Sequence, residues 1–185
     1  MRIAFVIFER LTALDFVGVY DPVTRLRTML FRPDLTWDIC ALSEEVSDPS
    51  GLKFSATRVG EPLDAYDLVI VPGGYGTREL MTDERFIGWL RTASSCELKA
   101  SVCTGSLLLG AAGFLRGKRA ATHPTSRTEL QKYCEVTEER VADEGDVVTA
   151  GGVTAAIDLG LHLCGRLAGL EAREKIRRQM DYQCG

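Results

Sequence analysis

The segment Ser101-Val102-Cys103-Thr104-Gly105-Ser106 sets one thiol between a short apolar strand and a run of small residues. That pattern fits a nucleophile elbow, a strained turn that presents a reactive side chain between a strand and the helix after it. Strand and helix pass closely only if the positions two before and two after the nucleophile are small; here they are Ser101 and Gly105. A helix starting just after Cys103 directs its free backbone N–H groups, and the positive end of its dipole, at the sulfur. A thiol so placed is expected to be acidified toward the nucleophilic thiolate. The same N–H groups, with those of Gly73, Gly74 and Tyr75 in a second glycine-rich loop, offer a cradle for an oxyanion or a substrate. The competing reading of Cys103 is a small buried hydrophobe, the usual fate of a free cysteine.

Other polar residues carry two readings each. Thr104 either hydrogen-bonds a reacting water or caps the helix. His123, in Thr122-His123-Pro124, follows the next strand, so it either approaches the thiol or serves a structural purpose. Asp15, judged on its neighbours alone, reads as a turn or helix-capping carboxylate. His162 falls on an apolar helix and reads as structural, and Glu44 and Glu45 as solvated loop charges. Cys40, Cys96, Cys134, Cys164 and Cys184 read as inert thiols.

The elements that must position these groups alternate between strand and helix. Ile3 to Phe8 is a continuous apolar run, as expected of a strand buried on both faces of a parallel sheet. A helix follows, with Pro22 expected in its first turn. Further strands are predicted at 36–42, 67–71, 99–102, 119–122, 135–137, 140–142 and 147–150, with a short edge hairpin at 53–57 after the Ser50-Gly51 turn. Helices are predicted at 83–96, 104–113 and 126–132, then a long apolar one at 153–167 and a charged one from Glu171. Phe86, Ile87, Leu90 and Ala93 share one face of the first of these. The implied fold is a three-layer α/β sandwich of flavodoxin-like form, a mostly parallel central sheet with helices on both faces. In such sheets the ligand crevice lies beyond the carboxyl ends of the strands. The loop after Phe8, the glycine loop after Val71, and Cys103 all end strands there.

Bulk properties narrow the function classes. At 185 residues the chain suits one domain, 1–185, with a full hydrophobic core. The net charge is -4, and the densest basic stretch, Arg173 to Arg178, is interleaved with Glu171 and Glu174. That is a solvated helix face rather than a nucleic-acid arm. The N-terminal apolar run is too short for a signal peptide, and no stretch has the length of a membrane helix. Six cysteines without a C-x-x-C pair, and only two histidines, argue against a disulfide framework or a metal site. A reducing, cytoplasmic setting with free thiols is expected.

The run from Ser101 through Cys103 to His123 resembles the nucleophile segment of the ThiJ/PfpI, or glutamine-amidotransferase-like, superfamily. Its isonitrile hydratase branch is the most similar. Leu14-Asp15-Phe16-Val17-Gly18, Val71-Pro72-Gly73-Gly74-Tyr75-Gly76 and Thr149 to Asp158 match other family blocks, so the resemblance runs from Ile3 to about Gln179. It implies that Asp15 lies beside the cysteine. A carboxyl next to a thiolate is expected to have a raised pKa and to serve as general acid. It further implies hydration of an isonitrile to an N-substituted formamide by Cys103, Asp15 and Thr104, with no metal or organic cofactor, a small-molecule substrate, no nucleic acid or membrane partner, and a homodimer. The cluster Phe16, Val17, Val19 and Tyr20 reads as a dimer surface or as ordinary core. Peptidases of the superfamily resemble a Cys-His pair where this chain has Cys103-Thr104, and glyoxalase-type relatives carry a glutamate near the cysteine. A ligand-binding or redox-sensing module of the same superfamily is the non-enzymatic alternative, because Cys103 would serve either use.

Overall fold

The structure, a computed structural model, describes residues 1–183, so Cys184 lies outside the described residues. In chain order the elements are β1 (Arg2–Val6), α1 (Ala13–Thr28), β2 (Thr36–Ala41), β3 (Glu45–Ser47), β4 (Lys53–Ser55), β5 (Arg58–Val59), β6 (Leu68–Val71), α2 (Thr77–Leu80), α3 (Glu84–Arg91), β7 (Leu98–Val102), α4 (Gly105–Ala112), β8 (Arg119–Ala120), α5 (Arg127–Leu130), β9 (Glu135–Val136), β10 (Val141–Asp143), β11 (Val147–Ala150) and α6 (Ala155–Gln179). Seven strands form the central sheet in the order β10-β11-β7-β6-β1-β2-β5. All of its pairings are parallel except that of edge strand β10 with β11. β3 and β4 form an antiparallel hairpin that spans 45–55 rather than the expected 53–57, which puts Glu45 in a strand, ion-paired with Lys53, instead of in a loop; β8 and β9 make a second small pair.

The fully apolar runs occupy the centre of the sheet, as burial on both faces requires. Ile3 to Val6, Leu68 to Val71 and Leu98 to Val102 are buried along their whole length. Helices α1 and α6 pack on each other, while α2, α3 and α5 cluster around α4. The result is the expected three-layer α/β sandwich.

Pro22 departs from expectation. It lies in the interior of α1, not in its first turn, because the helix already begins at Ala13. An interior proline gives up a backbone hydrogen bond and costs about 3 kcal/mol in isolation. Close packing on α6 overrides that cost: a Cβ added at Gly160 would sit 2.3 Å from the proline ring, and one at Gly18 would sit 2.8 Å from Ala156. The early start has a consequence for function, since it puts Asp15 in the first turn of α1. Of the apolar cluster beside Asp15, Phe16 and Val19 are core, with Phe16 packed against Phe5, Tyr20 and Phe54. Val17 is exposed, as is Leu14. The two expected C-terminal helices run on as α6 but are divided at Gly169, whose backbone (φ 86°, ψ 168°) is not helical. Strands β3 and β5 and the short helix α2 carry no periodic signal and lie outside the expected elements.

Candidate active site

Strand order decides which loops meet. β1 lies between β2 and β6, and β6 lies next to β7. The chain leaves β1 toward β2 on one side and reaches β6 on the other, so a crevice opens beyond their carboxyl ends. The loop after β1, the glycine loop after β6 and the turn after β7 meet there. Leu11 bridges to Gly74, and the Thr12 amide donates to the Gly73 carbonyl at 2.9 Å.

Cys103 occupies the turn between β7 and α4 with φ 54°. A left-handed conformation costs a non-glycine residue roughly 1–2 kcal/mol and persists only where its surroundings fix it. They do so here. The Cys103 amide donates to the carbonyls of Ala150 and Gly151 at 3.0 Å each. Its carbonyl accepts from the Ser106 and Thr122 hydroxyls, also at 3.0 Å. Gly105 is required: a Cβ there would lie 2.4 Å from the Val71 carbonyl oxygen and 2.7 Å from that of Pro72.

Asp15 reaches the thiol from α1 and is completely buried. Its Oδ2 accepts the Gly73 amide at 3.0 Å, and the carboxyl is close enough to the Cys103 thiol for each to shift the other's ionisation. Its buried Oδ1 has no hydrogen-bond partner among the described residues. Burial pushes the Asp15 carboxyl up from 3.8 to about 7, against the opposing effects of the Gly73 hydrogen bond and the neighbouring Cys103 thiol. A carboxyl that holds a proton near neutrality is what a general acid needs.

Two expectations are corrected. Cys103 is not a preformed thiolate: burial, and then the negative charge of Asp15, push its thiol up to about 12. The Thr104 backbone amide and hydroxyl do favour the anion, as a helix N-terminus should, but they do not prevail in a site this enclosed. Second, the Gly73 and Gly74 amides do not line an open oxyanion cradle. Gly73 donates to Asp15, and Gly74 donates to the Thr104 hydroxyl at 2.9 Å. The loop therefore acts through its neighbours, fixing the acid and the threonine. A Cβ at Gly73 would fall within 2.8 Å of both of them, so only glycine fits. Thr104 is not a side-chain cap of α4; its hydroxyl bonds back to the Gly74 carbonyl at 3.2 Å.

A cavity of about 670 Å³ opens over the sulfur, lined by Cys103, Thr104, Gly74, Tyr75 and His123 among others. Tyr75 is exposed at its mouth. His123 does reach the site, because a side chain at Gly152 would lie 2.2 Å from its ring and the glycine leaves that space. Its Nδ1 accepts the Thr125 amide at 3.3 Å and lies 2.8 Å from the Thr125 hydroxyl, so Thr125 holds the ring by that nitrogen. His162 is elsewhere, paired with Asp143 at 2.6 Å. Two lining residues, Arg78 on α2 and Asp48 on the β3–β4 turn, escaped the sequence reading. Nothing in their spacing marks them, although Arg78 follows the glycine loop by two residues.

The remaining described cysteines are free thiols away from this cavity. Burial pushes Cys40 up to about 11 and Cys164 up to about 12, as expected of structural sulfurs.

A sequence model of the DJ-1/PfpI family matches residues 1–165. Among curated proteins, isonitrile hydratase of Pseudomonas putida is 35% identical over 98% of this chain and 78% of its own length. Protein DJ-1alpha of Drosophila melanogaster is 28% identical over 76% of this chain and 64% of its own. The HTH-type transcriptional regulator GbdR of Pseudomonas aeruginosa is 26% identical over 98% of this chain, which spans only 53% of the regulator. Among solved structures, a ThiJ/PfpI family protein from Pseudomonas syringae superposes with a TM-score of 0.88 at 27% identity, covering 100% of this chain and 76% of that one.

Proposed function

The chain belongs to the DJ-1/PfpI family, and from that premise we propose that it hydrates isonitriles to N-substituted formamides, with Cys103 as nucleophile and Asp15 as the proton carrier. The observation that carries this reading is a fully buried Asp15 carboxyl that raises the pKa of the neighbouring Cys103 thiol, which itself lines the cavity. The 35% identity to an isonitrile hydratase supports it.

The reaction begins from a pair that shares one proton. As the sulfur bonds to the terminal carbon of R–N≡C, the thiol proton passes through Asp15 to that carbon, giving the thioimidate R–N=CH–S–Cys103. Water then adds to the same carbon, one of its protons passing through Asp15 to the nitrogen while the other stays on the oxygen. The product of that step, R–NH–CH(OH)–S–Cys103, collapses to R–NH–CHO and regenerates the thiol. Atoms balance with one water consumed, and no metal or organic cofactor takes part. Thr104 holds Gly74 and favours the sulfur anion, and His123, on the cavity wall, is placed to orient the water or the nitrogen.

A pure thiol sensor calls for an exposed sulfur of low pKa. The buried, raised thiol of Cys103 instead favours a site in which a neighbour removes the proton during reaction. The proposal takes residues 1–185 as one catalytic unit in the cytoplasm, acting on a small molecule without nucleic acid. No helix among the described residues is long and apolar enough to cross a membrane. It also takes the chain as a homodimer, with exposed Leu14 and Val17 on α1 as the contact, testable by the mass of the particle in solution.

The test is intact-mass analysis of acid-quenched reactions. The reading expects an adduct heavier by one whole isonitrile, located on the peptide that contains Cys103. An adduct confined to another cysteine would overturn it.

A further inference from the structure

We infer that the cavity selects isonitriles that also carry a carboxylate, and that Arg78 is the residue that grips it. This deepens the proposed hydratase reading and rests on it.

The cavity is larger than a simple alkyl isonitrile needs; about 670 Å³ suits a ligand of many more atoms. A specificity group on the distant part of the substrate therefore has room. Arg78 is the one arginine or lysine among the residues that line it. The guanidinium is built into place rather than waving in solvent. Its Nη2 donates to Ser126 Oγ at 3.0 Å, and Ser126 is completely buried. Its Nε donates to Glu129 at 3.3 Å. Nη1 has no partner among the described residues, and Nη2 keeps a second hydrogen. Those two nitrogens form the end-on fork that matches a carboxylate. Glu129 orients the group from its other edge and lowers its net charge without covering the fork.

Asp48 is the carboxylate on the lining that would oppose an anionic substrate. Its Oδ1 is turned into its own hairpin turn, where it accepts the Ser50 and Leu52 amides at 2.8 and 2.9 Å. Ala13, Pro49 and Val153 give the wall apolar area, and Thr12, Ser50, Thr125 and His123 add polar groups, but Arg78 is the one guanidinium or ammonium on the lining.

The test pairs three acids, isocyanoacetate, 3-isocyanopropanoate and 4-isocyanobutanoate, with their methyl esters. For at least one chain length the acid is expected to exceed its ester in kcat/KM by about tenfold, the scale of one charge-assisted fork at a half-open site. In Arg78→Gln the ratio falls toward one, and in Arg78→Lys, which keeps charge but not the fork, it is partly restored. Equal rates for acid and ester at every length in the wild type, or a preference that persists in Arg78→Gln, overturns the inference while leaving the hydratase reading intact. A binding arm separates the two ideas further. Calorimetry on the Cys103→Ala protein compares each N-formyl amino acid with its methyl ester. Tighter binding of the acids that is lost on adding Arg78→Gln supports the grip even if no isonitrile is turned over, in which case only the hydratase reading falls. No difference in binding counts against the grip.

Discussion

The Asp15 carboxyl and the Cys103 thiol lie beside each other inside the fold, and each is disfavoured as an anion by burial. At neutral pH the two therefore hold one proton between them more readily than none, and the site is best described by the protonation of the pair.

That relationship sets a pH profile. With the carboxyl at about 7 and the thiol at about 12, the pair carries two protons below pH 7 and one above it. The one-proton form is the reactive one, since it holds both a base for the thiol and a proton for the carbon. We expect kcat/KM for an isonitrile to rise with pH up to about 7 and then level off into the alkaline range. A profile that declines from pH 6 to 8 would assign activity to the doubly protonated form and contradict the mechanism.

Stability should respond to the same group. In the unfolded chain Asp15 ionises near 3.8 and in the folded one near 7, so between these values the folded state binds more protons. Its contribution is thus fully present below pH 4 and is lost as pH rises through about 7. Asp15→Asn removes the loss, because the amide oxygen can still accept the Gly73 amide. At pH 8 the variant is expected to be more stable by up to about 4 kcal/mol, with little gain at pH 4. Its turnover is expected to fall by about 100-fold or more. Denaturant titrations at the two pH values, with rate assays alongside, check both halves.

The strained elbow makes its own prediction. Cys103→Ala and Cys103→Gly both lack the thiol, but only glycine is at ease at φ 54°. The glycine variant is expected to be more stable than the alanine variant by about 1 kcal/mol, which is a melting difference of about 2–4 °C at this chain length. Equal melting temperatures would mean that the turn relaxes once the sulfur is gone.

Two glycines give a matched contrast. Gly105→Ala drives a methyl into the Val71 and Pro72 carbonyls, which are backbone and cannot swing aside. A loss of about 2 kcal/mol or more is expected, together with reduced turnover as the elbow opens. Gly88→Ala, in the middle of α3 with nothing within 4 Å of the added carbon, should instead gain about 0.5–1 kcal/mol.

Much of this was legible in the chain, for identifiable reasons. Continuous apolar runs at Ile3 and Leu68 announce buried parallel strands, and the spacing of Ser101, Cys103 and Gly105 announces the elbow, because sterics leave few residues to choose from. The Asp15 and Cys103 partnership was legible only through the resemblance. Nothing local links a residue in the first turn of α1 to one after β7; the sheet order joins them. Pro22 misled because its local cost is real, and the packing of Gly18 and Gly160 against α6 that outweighs it is tertiary. The thiol's acidity misled for a related reason. A helix N-terminus is visible in a sequence, whereas the burial that opposes it is not. Arg78 was invisible because an arginine on a short helix without periodicity carries no mark of the cavity it faces.

The most direct test follows a simple alkyl isonitrile with the purified full chain by proton NMR, beside the Cys103→Ala variant and buffer alone. One formamide should appear for each isonitrile consumed by the wild type, with the variant no faster than buffer. Formamide formed equally well by Cys103→Ala, or by wild type at only the buffer rate, would contradict the assignment of Cys103 as the hydrating nucleophile.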